Sequence, residues 1–310
     1  MMGCFGGKRL ILVVLLHTTH AAGEPVDNTE PSVSAQAGNS TTSQDVNEEE
    51  NTVNYFGLPA APIDEPLVTD RPDFTESTVT VPSGRFQLEA GYTYTYDSGD
   101  GIRSQDHTYP EVLLRIGLRD DVELRLGWTG WSHVEEVFRE RNDAGRRVKV
   151  TDRDDGGNDM NIGLKFHLID QDGWVPDFGL IVDADVPTGA GGQTSGDVDP
   201  AVKLLWAYDL TDGIALAGNV NFAAPTSETG RFFQAAASLS LAGSITEKLG
   251  GYVEYFGFFR NERGQGDAQY LNGGFTYLIT NNFQVDIRAG VGLNDEADDF
   301  FTGVGFAWRF

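Results

Sequence analysis

From residue 85 onward, apolar and polar residues exchange places at every second position, in runs of about ten residues. Side chains of an extended strand alternate between two faces, so a period of two predicts strands. Twelve segments follow: Arg85 to Tyr96, Thr108 to Leu118, Val122 to Trp131, Asp159 to Leu168, Val175 to Val186, Val198 to Tyr208, Ile214 to Phe222, Phe232 to Gly243, Gly250 to Phe259, Gln269 to Leu278, Phe283 to Gly292 and Phe300 to Phe310. Ten residues at about 3.3 Å each, tilted by about 45°, rise about 23 Å, close to the apolar band of about 25 Å on a transmembrane barrel.

The connections alternate in length. Five are short, at 119–121, 169–174, 209–213, 245–248 and 279–282; six are mostly longer and rich in Gly, Asp or Asn, at 97–107, 132–158, 187–197, 223–231, 260–268 and 293–299. Twelve strands with both ends in the periplasm need five turns on that side and six outer loops. The sequence therefore predicts an all-β fold, a closed antiparallel up-and-down transmembrane β-barrel of about 12 strands, over residues 85–310. Three turns echo one another at Leu210-Thr211-Asp212, Ile245-Thr246-Glu247 and Ile279-Thr280-Asn281. Their repeat of about 35 to 40 residues also fits a propeller blade, but blades do not alternate long and short links along one meander.

One face of each segment is apolar: Leu88, Tyr92, Val112, Leu114, Leu124, Leu126, Ile162, Leu164, Leu204 and Ile287 belong to it. Aromatics gather at segment ends, as interfacial girdles do. The opposite face holds Glu89, Glu111, Arg115, Glu123, Arg125, Lys165, Asp183, Asp185, Asp199, Lys203, Glu254, Asp286, Arg288 and Arg309. These are the candidate lumen-lining residues; with acids and bases nearly balanced, cross-strand pairing is expected of them. Twelve strands leave a narrow bore between filled eight-stranded barrels and open porins. Inward aromatics Trp131, Phe232, Tyr252, Phe256, Phe258, Tyr270 and Phe301 are candidates for an upper-lumen patch, either a greasy binding surface or filling.

Before the strands, Met1 to about Ala22 has a basic start (Lys8, Arg9), an apolar run from Leu10 to Leu16 and a small-residue end. That layout predicts a signal peptide over 1–22, the run being too short for a membrane-spanning helix of about 20 residues. The only cysteine, Cys4, lies within it. Residues 23–66 lack Lys and Arg, carry Glu48, Glu49 and Glu50, and predict a disordered acidic periplasmic tail. Tail and loops hold much of the net charge of −25, which therefore says little about the fold. Residues 67–84 are a latch or plug segment, in which Asp70, Arg71 and Asp73 are expected at the periplasmic mouth as a latch or gate.

The closing strand, Phe-Phe-Thr-Gly-Val-Gly-Phe-Ala-Trp-Arg-Phe, resembles the last strand of bacterial outer-membrane barrels, where a terminal Phe such as Phe310 is the assembly signal. Asp70-Arg71-Pro72-Asp73-Phe74-Thr75-Glu76-Ser77, Arg85-Phe86-Gln87-Leu88-Glu89-Ala90-Gly91-Tyr92, Pro110-Glu111-Val112-Leu113-Leu114-Arg115 and Gly290-Val291-Gly292-Leu293-Asn294 are similar to the family labelled "putative MetA-pathway of phenol degradation". The resemblance covers about 67–310. It implies a transporter-like barrel in the cell outer membrane, linked by name to uptake of aromatic or other hydrophobic compounds, and it transfers no binding residues.

Chemistry adds little. Of the mature histidines, His107 and His133 fall in predicted outer loops and His167 faces inward, which leaves the Ser-His arrangement of a lipid hydrolase without a lipid-facing histidine. Of the acidic loops, at 152–156 and 295–299, that at 152–156 lacks the terminal bidentate acid of a calcium loop and both read as solvated loops, while the Gly-rich stretch 189–196 lacks the Lys-Ser/Thr of a phosphate loop. The expectation is a non-enzymatic barrel with no catalytic residues, cofactor or metal, and no nucleic-acid partner. Expected partners are outer-membrane lipid and lipopolysaccharide, the barrel-assembly machinery and a small-molecule solute. Passive solute transport competes with a closed structural or adhesion barrel whose outer loops bind partners.

Overall fold

In the computed structural model, the described residues are 52–99, 101–141, 146–227, 230–262 and 266–310. The expected signal peptide and most of the expected tail lie outside them. The strands are β1 (Phe86–Gly99), β2 (Ile102–Arg119), β3 (Val122–Trp128), β4 (Trp131–Arg141), β5 (Arg147–Gly157), β6 (Met160–Ile169), β7 (Asp177–Val186) and β8 (Asp199–Thr211). They continue as β9 (Ile214–Ala223), β10 (Thr226–Ser227), β11 (Gly230–Arg231), β12 (Gln234–Ser244), β13 (Leu249–Arg260), β14 (Ala268–Thr280), β15 (Phe283–Gly292) and β16 (Phe300–Arg309).

Twelve of these form the closed barrel. Each pairs antiparallel with its neighbours, and β1 pairs with both β2 and β16, so first and last members close the ring. Closure leaves no unpaired wall edge in lipid, where an unsatisfied backbone group is costly. Leu204 is 44% exposed and Ile287 50%, whereas Glu89, Arg115, Glu123 and Lys165 are 0% exposed. An apolar outside around an ionic inside is the inverse of a soluble barrel. The protein is thus an outer-membrane β-barrel, with its strand termini at the periplasmic end.

Two connections depart from expectation. The stretch 132–158, read as an outer loop, is the β4–β5 hairpin. Its β4 pairs with the upper half of β2, from Arg103↔Val137 to Tyr109↔Trp131, while the lower half of β2 pairs with β3. The stretch 97–107 is likewise mostly strand, turning at Gly101 with φ of +83°. Both extensions stand clear of the membrane, so neither needs an apolar face, and the alternation that marks lipid-facing strands is missing from them.

Residues 52–66, read as part of the tail, lie along the periplasmic rim. Asn54 is buried and its side chain donates to the Gly84 carbonyl at 2.8 Å, while Arg85 donates to the Ala61 carbonyl at 2.7 Å. Phe56 packs edge-on against Phe86 and Phe310, and Phe86 stacks on Phe310 with centroids 5.8 Å apart. The terminal Phe310 therefore sits in an aromatic clasp at the β1–β16 seam, where Phe86 and Phe310 also exchange backbone hydrogen bonds.

Candidate functional site

Inside the barrel lies the chain's own segment from Leu67 to Val81. It enters beside the β14–β15 turn, where the Leu67 amide donates to the Asn281 carbonyl at 2.6 Å. It leaves beside the β2–β3 turn, where Thr80 Oγ1 donates to the Asp120 carbonyl at 2.5 Å. Between these points Thr69, Asp70, Asp73, Phe74, Thr75, Glu76 and Ser77 are all 3% exposed or less. A lone segment without secondary structure can be buried only if its polar groups find partners. The inward charges of the wall supply them.

The largest set of contacts surrounds Asp70. Its carboxylate accepts from Lys165 Nζ at 2.9 Å on both oxygens, from Arg125, and from the Ser77 amide at 3.1 Å. Its own amide donates to both Glu89 oxygens at 3.0 Å. Arg115 ties the ring together, bonding Glu123 at 2.9 Å, Glu89 at 3.1 Å and the plug carbonyls of Val68 and Val79 at 3.1 and 2.8 Å. Burial opposes the charge on Asp70, yet the cations Arg115, Lys165 and Arg125 hold its carboxyl well below the usual carboxylate range.

Three further anchors follow. Glu76 accepts from Lys203 at 2.9 Å, and Lys203 also meets Asp183 at 3.1 Å. Glu254 receives the Phe74 and Thr75 amides at 2.8 and 2.7 Å and the Thr75 hydroxyl at 2.6 Å. Arg71 reaches Glu111 at 3.0 Å and Asp286 at 3.4 Å, while Arg288 donates to the Pro72 carbonyl at 3.1 Å. Glycines make room: a Cβ on Gly91 or Gly305 would fall 2.4 Å from the Arg71 guanidinium.

Asp70, Arg71 and Asp73 are therefore not at the periplasmic mouth. They sit within the barrel, Arg71 level with Gly91 and Gly305, about five residues up their strands, because the compensating charges are on the wall. Asp73 has the least support. Its partner is the Ser240 hydroxyl at 3.0 Å, its other oxygen has none, and burial together with the nearby Glu254 charge pushes its carboxyl well above the normal range. Of the remaining lumen residues, Asp185 accepts from Asn161, Asp199 from Thr226, and Arg309 binds Asn282 and the Glu65 carbonyl.

The aromatic patch is reorganised. Phe256, Phe258, Tyr270 and Phe301 cluster with Ala236, Ala268 and Ala297 around the plug residue Phe74, which stacks on Phe256 with centroids 4.7 Å apart. Three residues expected there are elsewhere. Trp131 is 41% exposed, because β4 starts there with an outward side chain; Phe232 precedes β12 in the outer connection; Tyr252 is inward but low in the barrel, opposite Gly274. Sequence reasoning missed Phe74, the one apolar side chain between Asp73 and Thr75 in a polar stretch.

His107 and His133 also move from loops to strands. Both face outward, His107 bonded to the Tyr92 phenol at 2.8 Å and His133 to the Tyr109 phenol at 2.9 Å, with Asp155 on the other ring nitrogen of His133. The hydroxyl presented to His133 is thus a phenol rather than a serine. Among the described residues, His167, Asp170 and Asp177 have the spacing of a metal site, at a periplasmic turn. Each ring nitrogen of His167 faces a different carboxylate, Asp170 at 2.9 Å and Asp177 at 3.5 Å.

A family model described as "Putative MetA-pathway of phenol degradation" matches residues 69–310. Among solved structures, an outer membrane channel of Pseudomonas putida F1 is 13% identical with a TM-score of 0.49, the match covering 75% of this chain and 98% of that one. The NanC porin is 10% identical (TM-score 0.42, covering 73% and 100%), and the translocator domain of the autotransporter NalP from Neisseria meningitidis 10% (TM-score 0.47, covering 73% and 88%). No curated protein matches the chain.

Proposed function

The chain belongs to the family described as "Putative MetA-pathway of phenol degradation", and on that premise we propose a passive outer-membrane channel for small solutes, hydrophobic or aromatic ones among them, closed at rest by its own residues 67–81. The observation that carries the reading is the way the plug is held. Its contacts are ion pairs and hydrogen bonds to separate strands, with Phe74 as its main apolar anchor. Displacing it therefore exchanges polar partners for water, and the apolar side chains it would uncover are Leu67, Val68, Phe74 and Val81, spread singly or in a pair along the segment. The aromatic cluster above Phe74 gives an apolar solute a surface to replace that ring. No side chain is assigned a catalytic role.

Planar-bilayer recording tests this. Wild type should show rare openings, Arg71→Ala more frequent ones, and deletion of residues 67–80 a steady conductance. Unchanged conductance in a folded Arg71→Ala barrel would reject gating through Arg71. The filled lumen itself favours a second reading, a closed structural or adhesion barrel; silence of the deletion variant across varied solutes would establish that one instead.

A further inference from the structure

The β6–β7 turn at the periplasmic rim brings a histidine and two acids to the point where the plug leaves the barrel. His167 lies near the end of β6 opposite Gly179, and the register shifts between His167 and Ile169, so that Leu168 bulges from the ladder. Asp177 opens β7 two residues before Gly179 and therefore shares its face. Gly179 carries no side chain, and the plug takes the space, since a Cβ there would fall 3.3 Å from the Thr78 Cα. His167, Asp177 and the Thr78 backbone are thus gathered on the inner side of the rim. Asp170 reaches in from the turn with its side chain 96% exposed.

The imidazole has a different neighbour on each side. Nε2 stands 2.9 Å from Asp170 Oδ1, and because an ionised carboxylate only accepts, the ring proton is assigned to Nε2. In the neutral ring Nδ1 is then a bare electron pair. That pair faces two oxygens, the Thr78 carbonyl at 3.4 Å and Asp177 Oδ1 at 3.5 Å. Asp177 Oδ1 is itself buried and has no hydrogen-bond partner. Three electron-pair donors meet with no proton among them, an arrangement that costs free energy unless something positive lies between them. Both distances are at the far limit of a hydrogen bond, whereas ligands around tetrahedral zinc, with bonds of about 2.0 to 2.2 Å, stand about 3.4 Å apart. One ligand atom from each of His167, Asp170 and Asp177 lies within 4.8 Å of the other two.

We infer that His167 Nδ1, Asp177 Oδ1 and the Thr78 carbonyl bind a divalent transition-metal ion of the zinc class, with Asp170 holding the ring by its other nitrogen. A carboxylate on the second ring nitrogen is the usual device for orienting a metal-bound histidine. An imidazole in the set favours zinc-like ions over calcium and magnesium, which take oxygen ligands. Since one ligand is plug backbone and the others belong to the wall, the ion fastens the exit end of the plug to the β6–β7 turn.

The test titrates the full chain, carrying no added histidine tag, with zinc chloride in detergent micelles. Saturable zinc binding is expected that an equal concentration of magnesium does not displace. Asp170→Asn should weaken it about 10- to 100-fold, as loss of an orienting carboxylate does, and His167→Asn or Asp177→Asn at least as much. His133→Asn, in the other His-Asp pair, should leave it unchanged. On the wild-type chain, which needs no variant to fold, zinc-edge X-ray absorption should show nitrogen together with oxygen at about 2.0 to 2.2 Å. Zinc should also slow hydrogen exchange at the amides of Thr78 to Thr80. Absence of saturable binding, equal binding by a folded His167→Asn barrel, or a zinc shell without nitrogen would overturn the site and leave the ring as an imidazolium between two carboxylates. Zinc binding with unaltered exchange would overturn its tie to the plug. None of these measurements depends on whether the barrel conducts.

Discussion

Asp70 and Asp73 stand three residues apart on the same buried segment and meet opposite surroundings. Asp70 has three cations, so its folded-state pKa is depressed; the stability it contributes is present above the unfolded value near 4 and is lost as pH falls below that. Asp73 is fully buried and faces Glu254, so its pKa is raised; its contribution is greatest below the unfolded value and is lost as pH rises toward the folded one. Asp73→Asn should therefore hold the plug more firmly at pH 8 than wild type does and flatten the pH dependence of Tm between pH 5 and 8. Thermal unfolding in micelles reads this directly, and a variant with the wild-type profile would assign the dependence to other groups. Asp70→Asn should act in the other direction, costing about 3–5 kcal/mol by leaving buried cations without their central partner. The sequence presents both as acids around an arginine; which is compensated is decided by side chains at least 45 positions away, Arg115, Lys165 and Arg125 for one and Glu254 for the other.

Among the elements, β8 shows the lipid-facing pattern plainly, Val202, Leu204 and Trp206 outward and Lys203 and Leu205 inward. Leu204 lies near the middle of its strand, and Leu204→Arg should cost about 2–4 kcal/mol for folding into lipid vesicles. A negligible cost would contradict the assigned register. The β4–β5 hairpin is the contrasting case. Excision of residues 134–154 should leave a closed, heat-modifiable barrel, because β2 keeps β1 and β3 as partners below it; loss of the folded band on unheated gels would show that the hairpin supports the wall. Alternation exposes a strand when one of its faces must be apolar, and a hairpin standing in water carries no such requirement. That is why β8 is legible and β4 and β5 are not.

At the scale of the whole molecule, ring closure and lumen occupancy are coupled. The inward charges pair only in part among themselves: Arg115, Arg125 and Lys203 on β2, β3 and β8 meet the wall acids Glu89, Glu123 and Asp183, and the plug acids Asp70 and Glu76 complete the pairing of these cations and of Lys165 on β6. Removing residues 67–80 should thus both open conductance and lower the unfolding temperature, with added salt restoring part of the loss by screening the exposed cations. A deletion variant as stable as wild type would mean the wall charges pair adequately without the plug.

Local order in the chain determined the strand faces, the twelve-membered count and the closing strand, because burial on one side of a pleated segment forces a period of two that neighbouring residues reveal. The fold of residues 67–81 within the bore, the move of Arg71 from the mouth to mid-barrel and the recruitment of Phe74 into the aromatic cluster were decided only in three dimensions. A segment without repeating geometry takes its conformation from the partners it meets, and those partners are brought together by the closure of the sheet.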